Sequence, residues 1–184
     1  MRVCLVSSSF YPAIFYGGPI SSTWDLSNKL SEKDIDIYVS TTNANGKSAL
    51  DVETNKFIQK KERLYVKYYH EQFVNRLSFR FIFGLWKDIR QSDLVYIQYL
   101  FHYTVIFALL YSFLQAKEIV ICPRGSFSSF TLSNKLPFFK SLWLNFLIKP
   151  FHRSVRWQAS SYIEENDIKR RFSAARVETI NDGV

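Results

Sequence analysis

The sequence predicts an α/β protein: a doubly wound, mostly parallel sheet with helices on both faces. Three observations carry that expectation. Short runs such as VCLV (Val3–Val6) and IVIC (Ile119–Cys122) are apolar throughout, the pattern of strands covered on both faces. Amphipathic segments of helical length alternate with such runs along the chain. The first run leads into a loop closed by Gly17 and Gly18, with Pro19 where a helix starts, a position at which its fixed φ and missing N–H cost nothing.

The elements follow in order. Val3–Val6 is the first strand. Ile20–Lys33 reads as a helix with Trp24, Leu26 and Leu30 on its inner face, and Asp36–Thr41 as the second strand. The polar, turn-rich stretch 43–55 (NANGKSALDVETN) is expected to be a surface loop. Leu64–Tyr69 alternates as a strand does. From Glu71 to Gln91, Phe73, Leu77, Phe81, Leu85 and Ile89 recur every four residues, predicting a long helix in which Gly84 marks a kink or a close approach. Asp93–Gln98 is a strand, Tyr103–Gln115 an apolar helix, and Glu118–Cys122 a strand ending at Pro123-Arg124-Gly125-Ser126. Ser133–Trp157 is predicted helical, aromatic and basic, broken by Pro137 and Pro150. Arg156–Ser160, Tyr162–Phe172 and Val177–Ile180 complete the pattern as strand, helix and strand.

The 184 residues suggest one domain. A domain of that size buries roughly 70% of the surface its unfolded chain exposes. A net charge of +8 favours anionic partners such as phosphates, acidic lipid head groups or nucleic acid. Cys4 and Cys122 each fall in an apolar strand and read as small core residues of a reducing compartment. No Cys/His cluster has metal-ligand spacing, so no metal is expected. The first apolar run is too short for a secretory leader and ends in three serines, which points to a cytoplasmic protein. Leu94–Leu114 carries no formal charge and is long enough to span a bilayer, but Gln98 and His102 interrupt it and it divides into a strand and a helix.

The common signatures exclude several chemistries. No GxGxxG follows the first strand, no GxxxxGK[ST] occurs, and no GxSxG occurs. What the chain holds instead is an ordered set. Phe10, Pro12, Gly17 and Gly18 lie in the first loop, Asp93–Gln98 in a central strand, and Cys122–Gly125 in a turn. Ser161, Glu164 and Glu165 open a helix, and Ile180–Val184 close the chain. Together these pieces resemble the N-terminal domain of a GT-B glycosyltransferase of the group 1 (family 4) type, along the whole chain. Tyr96 and Gln98 stand where that family often has histidines, and Asn181 and Asp182 replace its Pro and Asn.

The resemblance implies a Rossmann-like domain forming the acceptor-side half of a GT-B fold, with the donor domain lying outside these residues. It implies a retaining transfer of a sugar from a nucleotide-diphosphate sugar to a carbohydrate or lipid-linked acceptor in polysaccharide or glycolipid assembly, with no separate cofactor. Gly17 and Gly18 then face the donor phosphate at the positive end of the following helix. Arg124 and Ser126 are the catalytic candidates, and Tyr16, Gln98 and His102 the acceptor-binding ones. Arg124 either orients the acceptor and stabilises the leaving group or pairs with Asp93 or Glu118. Ile119–Ile163 contains no Asp or Glu but interleaves Lys and Arg with aromatics, a composition suited to peripheral contact with an anionic membrane. No motif supports a nucleic-acid partner. The rival reading is a non-catalytic α/β module that docks on a membrane or a partner chain.

Overall fold

The computed structural model describes residues 1–72 and 77–181. In chain order it contains β1 (Arg2–Val6), a 3-10 turn (Ile14–Tyr16), α1 (Gly18–Ser31), β2 (Asp36–Thr42), β3 (Ala44–Asn45), β4 (Ser48–Ala49), β5 (Ile58–Lys61) and β6 (Leu64–Tyr69). Then follow α2 (Phe79–Arg90), β7 (Leu94–Gln98), α3 (Tyr103–Leu114), β8 (Glu118–Cys122), α4 (Ser129–Ser133) and α5 (Pro137–Leu142). A π-helical turn (Trp143–Ile148), a second 3-10 turn (Lys149–Phe151), β9 (Arg156–Ala159), α6 (Tyr162–Arg171) and β10 (Arg176–Thr179) complete it.

The main sheet has the order β10-β9-β8-β7-β1-β2-β6-β5. All its pairings are parallel except that of β5, which runs antiparallel to β6 at the edge. This is the doubly wound α/β sheet expected from the alternation of elements. The chain winds outward in both directions from β1. The β1/β7 boundary is therefore the switch point, where loops leave on opposite sides and open a crevice at the carboxyl ends. Both edges are short and charged, with Lys60 and Lys61 on β5 and Arg176 and Glu178 on β10, which discourages pairing with further strands.

Two cores follow from the two-residue repeat of the strands. Cys4, Val6, Val95, Ile97, Ile119 and Ile121 face α2, α3, the π-helical turn and α6. Val3, Leu5, Ile37, Val39, Leu64 and Val66 face α1. Cys4 and Cys122 are both buried, as their strand positions suggested.

α1 departs from the expected pattern. Its fully buried stripe is Ile20, Thr23, Ser27, Asn28 and Ser31, whereas Trp24, Leu26 and Leu30 are only partly buried at its flanks. The hydroxyls satisfy themselves: Thr23 donates to the Pro19 carbonyl and Ser27 to the Thr23 carbonyl, each at 2.7 Å.

Gly84 is the close approach that the sequence allowed for. A Cβ there would lie 2.4 Å from the Tyr69 hydroxyl. That hydroxyl belongs to a buried polar cluster between β6 and α2. Asp88 accepts from Tyr69 at 2.6 Å, from Ser40 at 2.7 Å and from Lys67 at 2.5 Å. Both carboxylate oxygens are thus hydrogen-bonded, one of them to a lysine, which lets a charge sit 3% exposed in the core.

Three expectations need correction. Stretch 43–55 contains the β3–β4 hairpin, which turns at Gly46-Lys47 with glycine at the positive φ (69°) that a tight hairpin requires. α2 starts at Phe79 rather than Glu71, because the Ser78 hydroxyl caps it by accepting from Phe81 N; Phe73 of the expected pattern lies outside the described residues. Ser133–Trp157 breaks at Pro137 and Pro150 as expected, but its pieces are not all α-helical. Lys135 and Leu136 adopt positive φ (41° and 60°), and the following residues break into α5, the π-helical turn and the second 3-10 turn.

Candidate active site

The loop after β1 is fixed from below. The Ser7 hydroxyl donates to the Ser9 carbonyl at 2.6 Å, and the Thr42 hydroxyl to the Ser8 carbonyl at 2.8 Å. Phe10 is wholly buried against Trp24, and the Tyr68 hydroxyl donates to the Tyr11 carbonyl. The 3-10 turn then carries the chain to Gly17, whose φ of 70° is open to glycine at little cost. Gly18 has no such backbone demand, and a Cβ on it would meet nothing within 4 Å. Neither conformation nor packing requires glycine at Gly18. α1 begins there with no side-chain cap and no acidic residue in its first turn, so its positive end faces outward uncompensated.

Beside that helix end lies a cleft of about 260 Å³. Ser8, Ser9 and Tyr16 line it from the first loop, and Pro19 and Ile20 from the start of α1. Tyr99, Phe101 and His102 line it from the segment after β7, and Ser126 from the turn after β8. It therefore sits at the carboxyl edge of the sheet, at the switch point. The Ser9 hydroxyl is buried at its wall with no hydrogen-bond partner among the described residues. A larger apolar cavity, about 340 Å³, lies under α1 among Val3, Leu5, Leu30 and Tyr96, away from the carboxyl edge and with little polar lining, and is not the site of chemistry.

Of the residues singled out from the sequence, Tyr16, His102 and Ser126 meet in this cleft. The Tyr16 hydroxyl accepts from Gly46 N at 2.8 Å, so the β3–β4 hairpin braces it. His102 caps α3: its Nδ1 accepts from Thr104 N at 3.4 Å and lies 2.9 Å from Thr104 Oγ1, which leaves the ring proton on Nε2. The Ser126 hydroxyl donates to the Pro123 carbonyl, so it braces its own turn. Gln98 does not reach the cleft. It is fully buried beneath it, and its Oε1 accepts from Arg124 Nε at 3.1 Å. Arg124 does not use either carboxylate proposed for it, since Asp93 accepts from Arg2 N at 2.7 Å and Glu118 lies 3.6 Å from Arg156.

Arg124 sits in a strained turn. It and Gly125 both have positive φ, 52° and 74°, a conformation costly for arginine. Glu164 stabilises the turn. Its side chain is 5% exposed, with Oε1 accepting from Gly125 N at 2.6 Å and Oε2 from Ser160 N and Oγ, each at 2.8 Å. Ser161 caps α6 by accepting from Glu164 N at 3.2 Å, which places that carboxylate beneath the turn. The Ser161-x-x-Glu164 spacing is the trace of this arrangement in the sequence. In a capping box the acid reaches back to its own cap; here it reaches one residue further and across to the next loop.

Tyr99 is a site residue with no sequence signal. It has a φ of 68°, lines the cleft and hydrogen-bonds Thr23. Burial pushes its phenol up to about 12, partly offset by the nearby Arg124 charge. Among the described residues, no three His, Cys, Asp or Glu side chains are grouped to hold a metal ion.

The parallel sheet order, the helices on both of its faces and a cleft at the switch point define a Rossmann-like α/β domain. Solved structures share that fold. The chain matches HepE (Alr3699) of Anabaena in complex with UDP-glucose at 15% identity, with a TM-score of 0.67, over 100% of this chain and 44% of that one. The complexes of the same protein with UDP and glucose and with UDP alone give TM-scores of 0.67 and 0.64. The chain thus spans less than half the length of these structures. No family model and no curated protein matches the sequence.

Proposed function

We propose that the chain is the acceptor-side half of a GT-B glycosyltransferase that moves a sugar from a nucleotide-diphosphate sugar to an acceptor hydroxyl. The observation that carries this reading is the placement of the cleft. It opens at the carboxyl edge beside an uncapped helix end, in a fold matched over its full length by part of a protein solved with UDP-glucose.

The chemistry follows from the residues. Charge builds on the leaving diphosphate as the glycosidic bond breaks. The backbone N–H of Gly18 and the positive end of α1 stabilise that charge, and Gly17 and Gly18 let the phosphate approach without a side chain between, the Gly17 N–H itself being used by the Ile14 carbonyl at 3.0 Å. Arg124, held by Gln98 and by the Glu164-braced turn, brings a fixed positive charge to the same edge. Tyr16 and His102, which line the cleft, are the residues we assign to the acceptor hydroxyls. The second wall of the site, with the rest of the donor pocket, belongs to a further domain. We assign the transfer to the retaining class and the product to polysaccharide or glycolipid assembly, the classes implied by the motif set.

A screen of nucleotide sugars against the full-length protein tests the reading, with Arg124→Ala alongside. Transfer from one donor, reduced about 100-fold or more in the variant, is expected. No transfer from any donor, or robust transfer by residues 1–184 alone, contradicts it.

A further inference from the structure

We propose that the outer surface of α5 and the π-helical turn, extended by the carboxyl end of α3, docks on an anionic lipid bilayer. This inference does not rest on the transferase reading.

The apolar groups are exposed on a backbone that is firmly anchored. Leu144 and Ile148 are buried in the core, the Trp143 indole donates to the Leu100 carbonyl at 2.9 Å, and Lys140 donates to the Asn134 carbonyl at 2.6 Å. With those side chains directed inward, Phe138, Phe139 and Phe146 point outward and are 70%, 64% and 70% exposed. Phe138 and Phe139 lie on α5 and Phe146 on the π-helical turn that continues it, so the exposed phenylalanines follow one another along this segment. Phe113 of α3, also exposed, continues the patch through an edge-on contact with Phe151, centroids 5.6 Å apart.

Charge selects the partner. Lys135, Lys149 and Arg153 are exposed at the margins of this segment and make no ion pair with any described residue. No carboxylate occurs between Ile119 and Ile163. The core of a protein–protein interface is depleted of lysine, whereas a surface that lies in a bilayer interface alternates phenylalanine with Lys and Arg. A continuous negative surface satisfies all three cations together without matching their spacing. A basic, acid-free segment with outward phenylalanines fits that surface.

The test is flotation of the purified chain with vesicles of phosphatidylcholine alone and with added phosphatidylglycerol. Binding to the anionic vesicles only, weakened by salt, is expected. Phe138→Ser/Phe146→Ser is expected to lower partitioning at least about tenfold, and Lys135→Glu/Lys149→Glu/Arg153→Glu to abolish it at low salt. Ile163→Ser, which removes an equally exposed apolar group elsewhere, is expected to leave binding unchanged. The wild-type dependence on lipid and salt needs no variant, and circular dichroism verifies that each variant is folded. Absence of flotation on anionic vesicles overturns the proposal. So does binding that neither multiple variant reduces, self-association through the phenylalanines without vesicle binding, or binding to single-stranded oligonucleotides instead of vesicles.

Discussion

Glu164→Gln is the sharpest structural perturbation of the candidate site. The carboxylate accepts three hydrogen bonds, two of them from the backbone N–H groups of Gly125 and Ser160. A glutamine keeps the shape but has one acceptor oxygen. Turned either way, its NH₂ faces one of those N–H groups, leaving a backbone donor opposed. An unsatisfied buried donor costs about 1–3 kcal/mol, and loss of the charge weakens the remaining bond by about 1 kcal/mol. The expected loss is therefore about 2–4 kcal/mol, which lowers the unfolding midpoint of a chain this size by roughly 4–16 °C. Thermal unfolding followed by circular dichroism at neutral pH measures it. Glu165→Gln is the control: that neighbouring carboxylate is held below its usual range by Lys169 and Thr179, but it is only partly buried and its ion-pair partner is half exposed, so its loss lowers the midpoint less than that of Glu164. A Glu164→Gln midpoint within about 1 °C of wild type refutes the reasoning, because the turn bearing Arg124 then does not depend on this carboxylate.

Three further outcomes are expected. Gly84→Ala destabilises by about 2 kcal/mol in chemical denaturation despite alanine's better helix propensity, because its Cβ displaces the Tyr69 hydroxyl from Asp88; a gain in stability contradicts this packing. Gly18→Ala leaves the unfolding midpoint unchanged but weakens nucleotide-sugar binding about tenfold by calorimetry, whereas Gly17→Ala also destabilises, by about 1–2 kcal/mol. Stability falls above pH 9: burial pushes the Cys4 thiol from 9.0 and the Tyr99 phenol from 10.0 up to about 12. The unfolded chain releases these protons first, so each group's contribution is complete below its unfolded value and is lost as pH rises toward 12, at no more than about 1.4 kcal/mol per pH unit. Cys4→Ala flattens that decline in denaturation curves measured across the window; an identical slope contradicts it.

Much of the fold was legible in the sequence because parallel strands buried on both faces leave unmistakable apolar runs. β1, β2, β6, β7 and β8 fall within a residue or two of the predicted positions. The failures have local physical causes. The α1 stripe of Thr and Ser does not look hydrophobic because its hydroxyls are satisfied within the helix. The segment 133–157 has helical composition, yet the positive φ at Lys135 and Leu136 and the two prolines divide it. For the cleft, the glycines and the turn at 123–126 were readable as punctuation. The Arg124–Gln98 bond and the Glu164 brace were not, because they join residues 26 and 39 positions apart through the tertiary fold. Tyr99 had no periodicity or motif to announce it.

The crystal structure of the full-length protein with a nucleotide-diphosphate sugar tests the central claim most directly. The diphosphate is expected in front of α1, an oxygen about 3 Å from the backbone nitrogen of Gly18, with the acceptor space in the cleft between Tyr16 and His102. A diphosphate bound away from that helix end, with Gly17 and Gly18 facing only solvent, contradicts the account.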